Sequence, residues 1–242
     1  MPERRAWSAT ASELLGFLAV LLVIGGALAG NQELAPGFIA FRIFLLGLVL
    51  GVVTLILGLV GLARTRASSG RLGRGRAATG TLIGAALAVL IVVVGSPGAD
   101  VPTINDITTD LSDPPRFEAA QEQAANRGRD LSYPGESFAA QQRRGYPNLG
   151  PLELSKPPAE AFRDALATAE RLGWTVTTSD PERLRFEAFD VTSFFHFVDD
   201  VVVRIRPRGA GSMVDVRSKS RDGKGDVGAN AARIRAFFAE LE

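Results

Sequence analysis

The chain has 242 residues, no cysteine, 46% hydrophobic residues and a formal net charge of +1. Without Cys there are no disulfides, thiolate nucleophiles or Cys-ligated zinc and iron–sulfur centres. Without a strongly basic domain the chain lacks the electrostatic footprint that binding a phosphate backbone needs, so nucleic acid is not an expected partner. The small net charge hides a split, because residues 1–96 carry eight Arg against three acidic residues and 97–242 carry nineteen Lys or Arg against twenty-three Asp or Glu.

Residues 1–96 read as a transmembrane anchor. Leu14–Gly30, Ile43–Ala63 and Ala78–Gly95 are uncharged stretches of 17, 21 and 18 residues, each near the ~20 residues that a helix rising 1.5 Å per residue needs to cross a hydrocarbon core. The first stretch, with Arg4 and Arg5 before it and Ala27-Leu28-Ala29 at its end, also meets the description of a cleaved signal peptide. Cut or uncut, the chain leaves the membrane near Gly30 on the same side. Arg64, Arg66, Arg71, Arg74 and Arg76 crowd the second connection with no acidic neighbour, and short loops rich in Arg stay cytoplasmic. The N-terminus is therefore expected inside an inner membrane and residues 97–242 in the periplasm or its extracytoplasmic equivalent. That loop is read as topogenic, with anionic-lipid sensing as the alternative. Gly47, Gly51, Gly58 and Gly61 give the second span small positions for close helix packing. No acidic residue, Lys, His or Asn falls within a span, which argues against a transporter or channel.

Residues 97–150, rich in Pro, Gly, Asp, Gln and Arg, read as a linker and extended wrap. Residues 151–242 read as an α+β domain, an antiparallel four-stranded meander flanked by two helices. Pro157-Pro158 opens a helix with apolar residues at helical spacing from Ala161 to Leu172, and Gly173 stops it. Strands are expected at Trp174–Thr178, Arg183–Phe189, Asp200–Arg206 and Met213–Lys219, with a further short one at Leu152–Leu154. Alternation puts Leu184, Phe186, Ala188, Val201, Val203, Ile205, Val214 and Val216 on the core face. Arg183, Arg185, Glu187, Arg204, Arg206, Asp215, Arg217 and Lys219 then share the other face. A last helix begins near Val227 after an Asp226 cap and buries Val227, Ala231, Ile234, Phe238 and Leu241.

The candidate binding residues fall in two pieces. Ser218–Asp226 joins the last strand to the last helix, where Gly223, Lys224 and Gly225 suit an anion, although the spacing is not that of a Walker loop. Asp106, Asp110 and Asp113 lack the spacing of an EF-hand loop and read as turn and capping residues. His196, between aromatics, reads as a packed residue. No metal set, cofactor signature or nucleophile–base pair is visible, so no catalytic residue is assigned.

Ile104-Asn105-Asp106-Ile107-Thr108-Thr109-Asp110, Asp113-Pro114-Pro115-Arg116-Phe117, Val214-Asp215-Val216-Arg217-Ser218-Lys219-Ser220-Arg221, Gly223-Lys224-Gly225-Asp226 and Asn230-Ala231-Ala232-Arg233-Ile234 resemble the family called domain of unknown function 1499, over about residues 100–242. The resemblance implies a membrane-associated exported domain and supplies no activity. It draws attention to Asn105, Asp106, Asp110, Arg217, Lys219, Arg221, Lys224, Asp226 and Asn230, which are expected to meet as one ligand-binding surface. The leading functional reading is a binding or accessory module for an anionic lipid or an envelope protein. The alternatives are a hydrolase using Asp106 or Asp110 with Arg217 and Lys224, and a structural subunit of a membrane complex.

Overall fold

A computed structural model of the chain describes residues 6–95 and 100–242. Arg4, Arg5 and the first residues of the expected linker lie outside these. The chain divides into two compact units, one of Met1–Pro97 with Ser193–His196 and one of Gly98–Thr192 with Phe197–Glu242.

The first unit holds helices α1 (Trp7–Asn31), α2 (Gly37–Arg64) and α3 (Arg74–Gly95), all long and apolar enough to cross a membrane. They contain the three expected spans. Their packing inverts the pattern of a water-soluble bundle: buried positions are small, such as Ser8, Ala9, Ser12, Gly16 and Ala19 on α1 or Ala77, Gly80 and Gly84 on α3, while Leu14, Leu21, Ile24, Leu82 and Val92 point outward. Lipid tails are as apolar as leucine, so close backbone approach, and not burial of large side chains, holds such helices together. Gly47 and Gly58 show how close that approach is. A Cβ on Gly47 would lie 2.7 Å from the Val23 backbone nitrogen, and one on Gly58 2.7 Å from that of Thr81. In the same unit Phe195 meets Phe41 and Phe44 edge-on at 5.3 and 5.6 Å, and His196 Nδ1 sits 3.0 Å from the Gly30 carbonyl.

The second unit contains β1 (Asp106–Thr108), α4 (Ala119–Glu122), α5 (Glu136–Gly145), β2 (Leu152–Leu154), α6 (Pro158–Arg171), β3 (Thr175–Asp180), β4 (Arg185–Val191), β5 (Val198–Arg208), β6 (Gly211–Ser220) and α7 (Ala229–Leu241). The order β1-β6-β5-β4-β3 makes an antiparallel sheet whose meander is the expected one. Two short strands share the outer edge of β6. β2 pairs with Ser212–Val214 and β1 with Arg217–Lys219. The expected core residues Phe186, Ala188, Val201, Val203, Ile205, Val214 and Val216 pack beneath Phe162 of α6 and Ile234 and Phe237 of α7.

Three local readings change. The segment expected to be linker and wrap contributes β1, α4 and α5, and Phe138, Tyr146 and Leu149 from it join the main core. The last helix starts at Ala229, two residues beyond Val227, whose φ of 53° is left-handed and whose side chain is 62% exposed. Phe237 takes the fully buried place expected of its neighbours, stacking on Trp174 at 4.9 Å. The sheet face opposite the helices is not solvated either, because Phe117, Ala120 and Leu131 of the wrap close over Val202.

Gly58→Leu should push α2 from α3, because overpacking a tight contact costs on the order of 1–3 kcal/mol or more. The expected outcome is a lower midpoint of heat-induced aggregation for the detergent-solubilised chain, with the outward Leu46→Val as a neutral control.

Candidate functional site

Alternation along β6 sends Val214, Val216, Ser218 and Ser220 toward the helices and Asp215, Arg217 and Lys219 toward the wrap. Register then places Asp106 opposite Lys219 and Thr108 opposite Arg217. The two expected pieces, 105–110 and 217–230, are therefore neighbours in one sheet edge.

Arg217 is the centre of the wrap side. Although only 1% exposed, it makes a two-pronged pair with Asp106, Nε to Oδ1 and Nη2 to Oδ2, both at 2.8 Å. Nη1 donates to the Pro115 carbonyl at 3.1 Å and Nη2 to that of Leu131 at 2.8 Å. The guanidinium also lies over the rings of Phe117 and Tyr133, at 4.8 and 5.4 Å. Lys219 adds a 3.0 Å contact to Asp106 Oδ2. A guanidinium presents a planar fork of donors, so one side chain fastens β1 and two stretches of the wrap to β6 at once.

The same logic repeats along the face. Buried Glu187 accepts the backbone N–H groups of Glu118, Ala119 and Ala120 at 2.7–3.1 Å, capping α4 from outside. Asp200 receives Arg221 at 2.6 and 2.9 Å and the Asn126 amide at 2.9 Å. Asp215 receives Arg204 and Arg206. Arg206 also reaches Asp110 at 2.8 Å. Burial alone would raise the Asp110 carboxyl, but hydrogen bonds from Ser112 and Asp113 and the charge of Arg206 outweigh it and hold the group below the usual carboxylate range.

The helix side is a separate polar cluster. Asn230 accepts from Ser218 at 2.6 Å and donates to Ser220 at 2.9 Å, and Arg233 bridges Asn230, Ser218, Asp190 and Asp199. Burial pushes the Asp199 carboxyl up, against the opposing charge of Arg233. Asp226 accepts the N–H groups of Gly228 and Asn230, so it caps α7, and Asn105 donates to the Gly223 carbonyl at 2.8 Å and tethers the turn.

The sheet thus brings the two pieces that hold the nine expected residues side by side, but the nine do not share one pocket. Asp106, Asp110, Arg217, Lys219 and Arg221 face the wrap; Asn105, Asp226 and Asn230 belong to the helix side. Lys224 is exposed and has no partner among the described residues. Both Asp106 oxygens are paired and the residue is fully buried, so that carboxylate is not presented to a substrate as a base. Among the described residues no group of three or more His, Cys, Asp and Glu is placed to hold a metal ion.

What sequence reasoning missed is a cleft of about 550 Å³ above Arg217, walled by Arg116, Phe117, Gln121, Asp130 and Tyr133. Arg116 has no side-chain partner among the described residues and is exposed. The Tyr133 hydroxyl is buried with no hydrogen-bond partner; burial, with a smaller contribution from the charge of Asp106, pushes its pKa up to about 12, so it stays a donor. The available signal was Pro115-Arg116-Phe117 with Leu131-Ser132-Tyr133, two aromatic positions beside breakers. Nothing in their spacing brings them together without the sheet.

Asp106→Ala should cost about 3–5 kcal/mol, because it strands a buried guanidinium. The double variant Asp106→Leu, Arg217→Met should recover much of that loss in chemical unfolding of the full chain. Asp110→Asn tests the depressed carboxyl. A lowered pKa stabilises the fold above the unfolded value and loses that contribution as pH falls through the folded one. Thermal midpoints of wild type and variant should therefore differ most near neutral pH and converge in acid.

The family model for proteins of unknown function, DUF1499, matches residues 106–241. That range begins with the first residue of β1 and ends with the last residue of α7, so it contains the Arg217–Asp106 pair, the cleft and the helix-side cluster apart from Asn105. A search of the curated proteins found no match. With more than half of its length matched, and with three helices able to cross a membrane ahead of the match, the chain belongs to the DUF1499 family.

Proposed function

We propose that this DUF1499 domain is a membrane-anchored binding or accessory module whose ligand seat is the cleft above Arg217. The observation that carries this reading is the buried, unpartnered Tyr133 hydroxyl in the wall of that cleft. A buried polar group without a partner costs about 1–3 kcal/mol, a cost that an acceptor on a bound ligand would offset. Five of the cations expected to form an anion surface, Arg204, Arg206, Arg217, Lys219 and Arg221, hold buried or half-buried carboxylates inside the domain. Arg116 is the free guanidinium beside the cleft, and it favours a ligand carrying a carboxylate or phosphate group. That group belongs to a small envelope molecule or to an envelope protein.

The five-Arg connection between α2 and α3 supports an orientation in which that loop is cytoplasmic and the DUF1499 domain lies on the periplasmic side of an inner membrane. A reporter active only outside the cytoplasm, fused after Glu242, should be active, and one fused after Ser69 inactive. The reverse result overturns the orientation.

The binding reading has its own test. Native mass spectra of the full chain, extracted in mild detergent, should show a non-covalent adduct that Arg116→Glu loses. Tyr133→Phe should weaken the adduct while stabilising the ligand-free chain by up to about 1–3 kcal/mol, since it removes a buried hydroxyl that has no partner. Identical spectra for wild type and both variants would remove the reading.

A further inference from the structure

One end of the membrane unit carries a concentration of positive charge that the binding module leaves unexplained. Because α1, α2 and α3 alternate in direction, the start of α1, the end of α2 and the start of α3 come together. Trp7 is the first residue of α1, Arg64 the last of α2 and Arg74 the first of α3. Arg64 lies over the Trp7 ring at 5.4 Å, an aromatic and cationic pairing suited to the headgroup layer. Ala6 donates its N–H to the Leu72 carbonyl at 3.2 Å and so ties the connection to α1.

The five arginines of this connection hold few internal partners. Arg76 contacts Glu13 at 3.3 Å and donates to the Thr10 hydroxyl at 3.3 Å. Arg66, Arg71 and Arg74 are exposed and have no side-chain partner among the described residues. Beside them is a cavity of about 300 Å³, lined by Thr10, Leu72, Gly73, Arg74, Gly75 and Arg76. It combines two guanidinium side chains, a hydroxyl and two glycines that let the backbone approach, with Leu72 on the apolar side. Left-handed Gly73, with φ of 114°, sets the chain into α3 at that point.

We propose that this cavity is a binding site for the phosphate of an anionic phospholipid headgroup. A guanidinium pair matches phosphate oxygens, and a headgroup that carries no ammonium of its own leaves the phosphate charge uncompensated for the pair to neutralise. The site lies where the ends of three apolar helices meet water, so lipid headgroups are present there at high local concentration. A guanidinium that meets a lipid phosphate directly at such a surface gains roughly the equivalent of a fivefold change in affinity. An acidic protein segment has less claim on the cavity, because apolar Leu72 lines it and the ends of three apolar helices meet beside it.

The test uses the full chain in nanodiscs containing equimolar phosphatidylglycerol and phosphatidylcholine, followed by native mass spectrometry of the protein with its retained lipids. Wild type should retain phosphatidylglycerol in preference to phosphatidylcholine. Arg74→Gln should reduce that retention about fivefold or more. Arg66→Gln removes the same charge outside the cavity and should leave it unchanged, and Arg74→Lys should fall between. Each variant keeps four of the five arginines, so insertion is preserved, and a single monodisperse species with unchanged helical circular dichroism checks it. Equal retention of the two lipids by wild type, or equal losses in Arg74→Gln and Arg66→Gln, would overturn the proposal.

Discussion

Everything on the wrap side of the sheet depends on bringing one guanidinium out of water. The desolvation of Arg217 and Asp106 is costly, and their attraction repays it only because the geometry is two-pronged and the remaining donors reach main-chain carbonyls of Pro115 and Leu131. The pair selects an arrangement more than it adds net stability. A hydrophobic core tolerates a strand that slips by a residue or a loop that settles elsewhere; a buried charge does not. Glu187 and Asp200 extend the constraint to α4 and to Asn126, so an irregular segment is held by specific acceptors without needing regular secondary structure of its own.

The membrane unit meets the opposite requirement. Helices long and apolar enough to cross a membrane have no water to escape there, and α1, α2 and α3 are specified by the places where side chains are absent. Small residues at the contacts trade side-chain burial for backbone proximity. Large residues are left for the lipid. The two units are therefore built by different rules within one chain, and the rule changes within a few residues of Gly95.

The parts legible in the sequence were those with a period. Apolar runs found the three spans, alternation found β3 to β6 and their inward residues, and Pro157-Pro158 with Gly173 bounded α6. What the sequence concealed lacks a period. Residues 119–122 and 136–145 were hidden among polar residues, and α5 owes its place to Phe138, Tyr146 and Leu149 reaching a core that exists only once the sheet is formed. The basic face illustrates the same limit. Counting charges on a strand predicts a cationic surface, whereas the partners Asp106, Asp110 and Asp113 arrive from far along the chain, with contacts such as Arg217 to Asp106 spanning over a hundred residues. The candidate surface was legible as a set of residues and not as a site. Asn105 and Asn230 were grouped with Asp106 by the family resemblance, and the strand's two faces divide them.

β6 carries a consequence for the order of events as the chain is made. It pairs with β1, β2 and β5, and it is among the last elements to emerge. Until it does, β1 has no edge to join, α5 has no floor and Asp106 has no counter-charge, so the first third of the domain must wait as an open chain for its final segment. Such delayed closure makes long-range pairing slow, and it means that length is checked by the fold itself: a polypeptide ending before residue 217 contains most of the domain's mass and none of its lock. Incomplete products are thereby left with an exposed, unpaired strand edge, which is prone to aggregate.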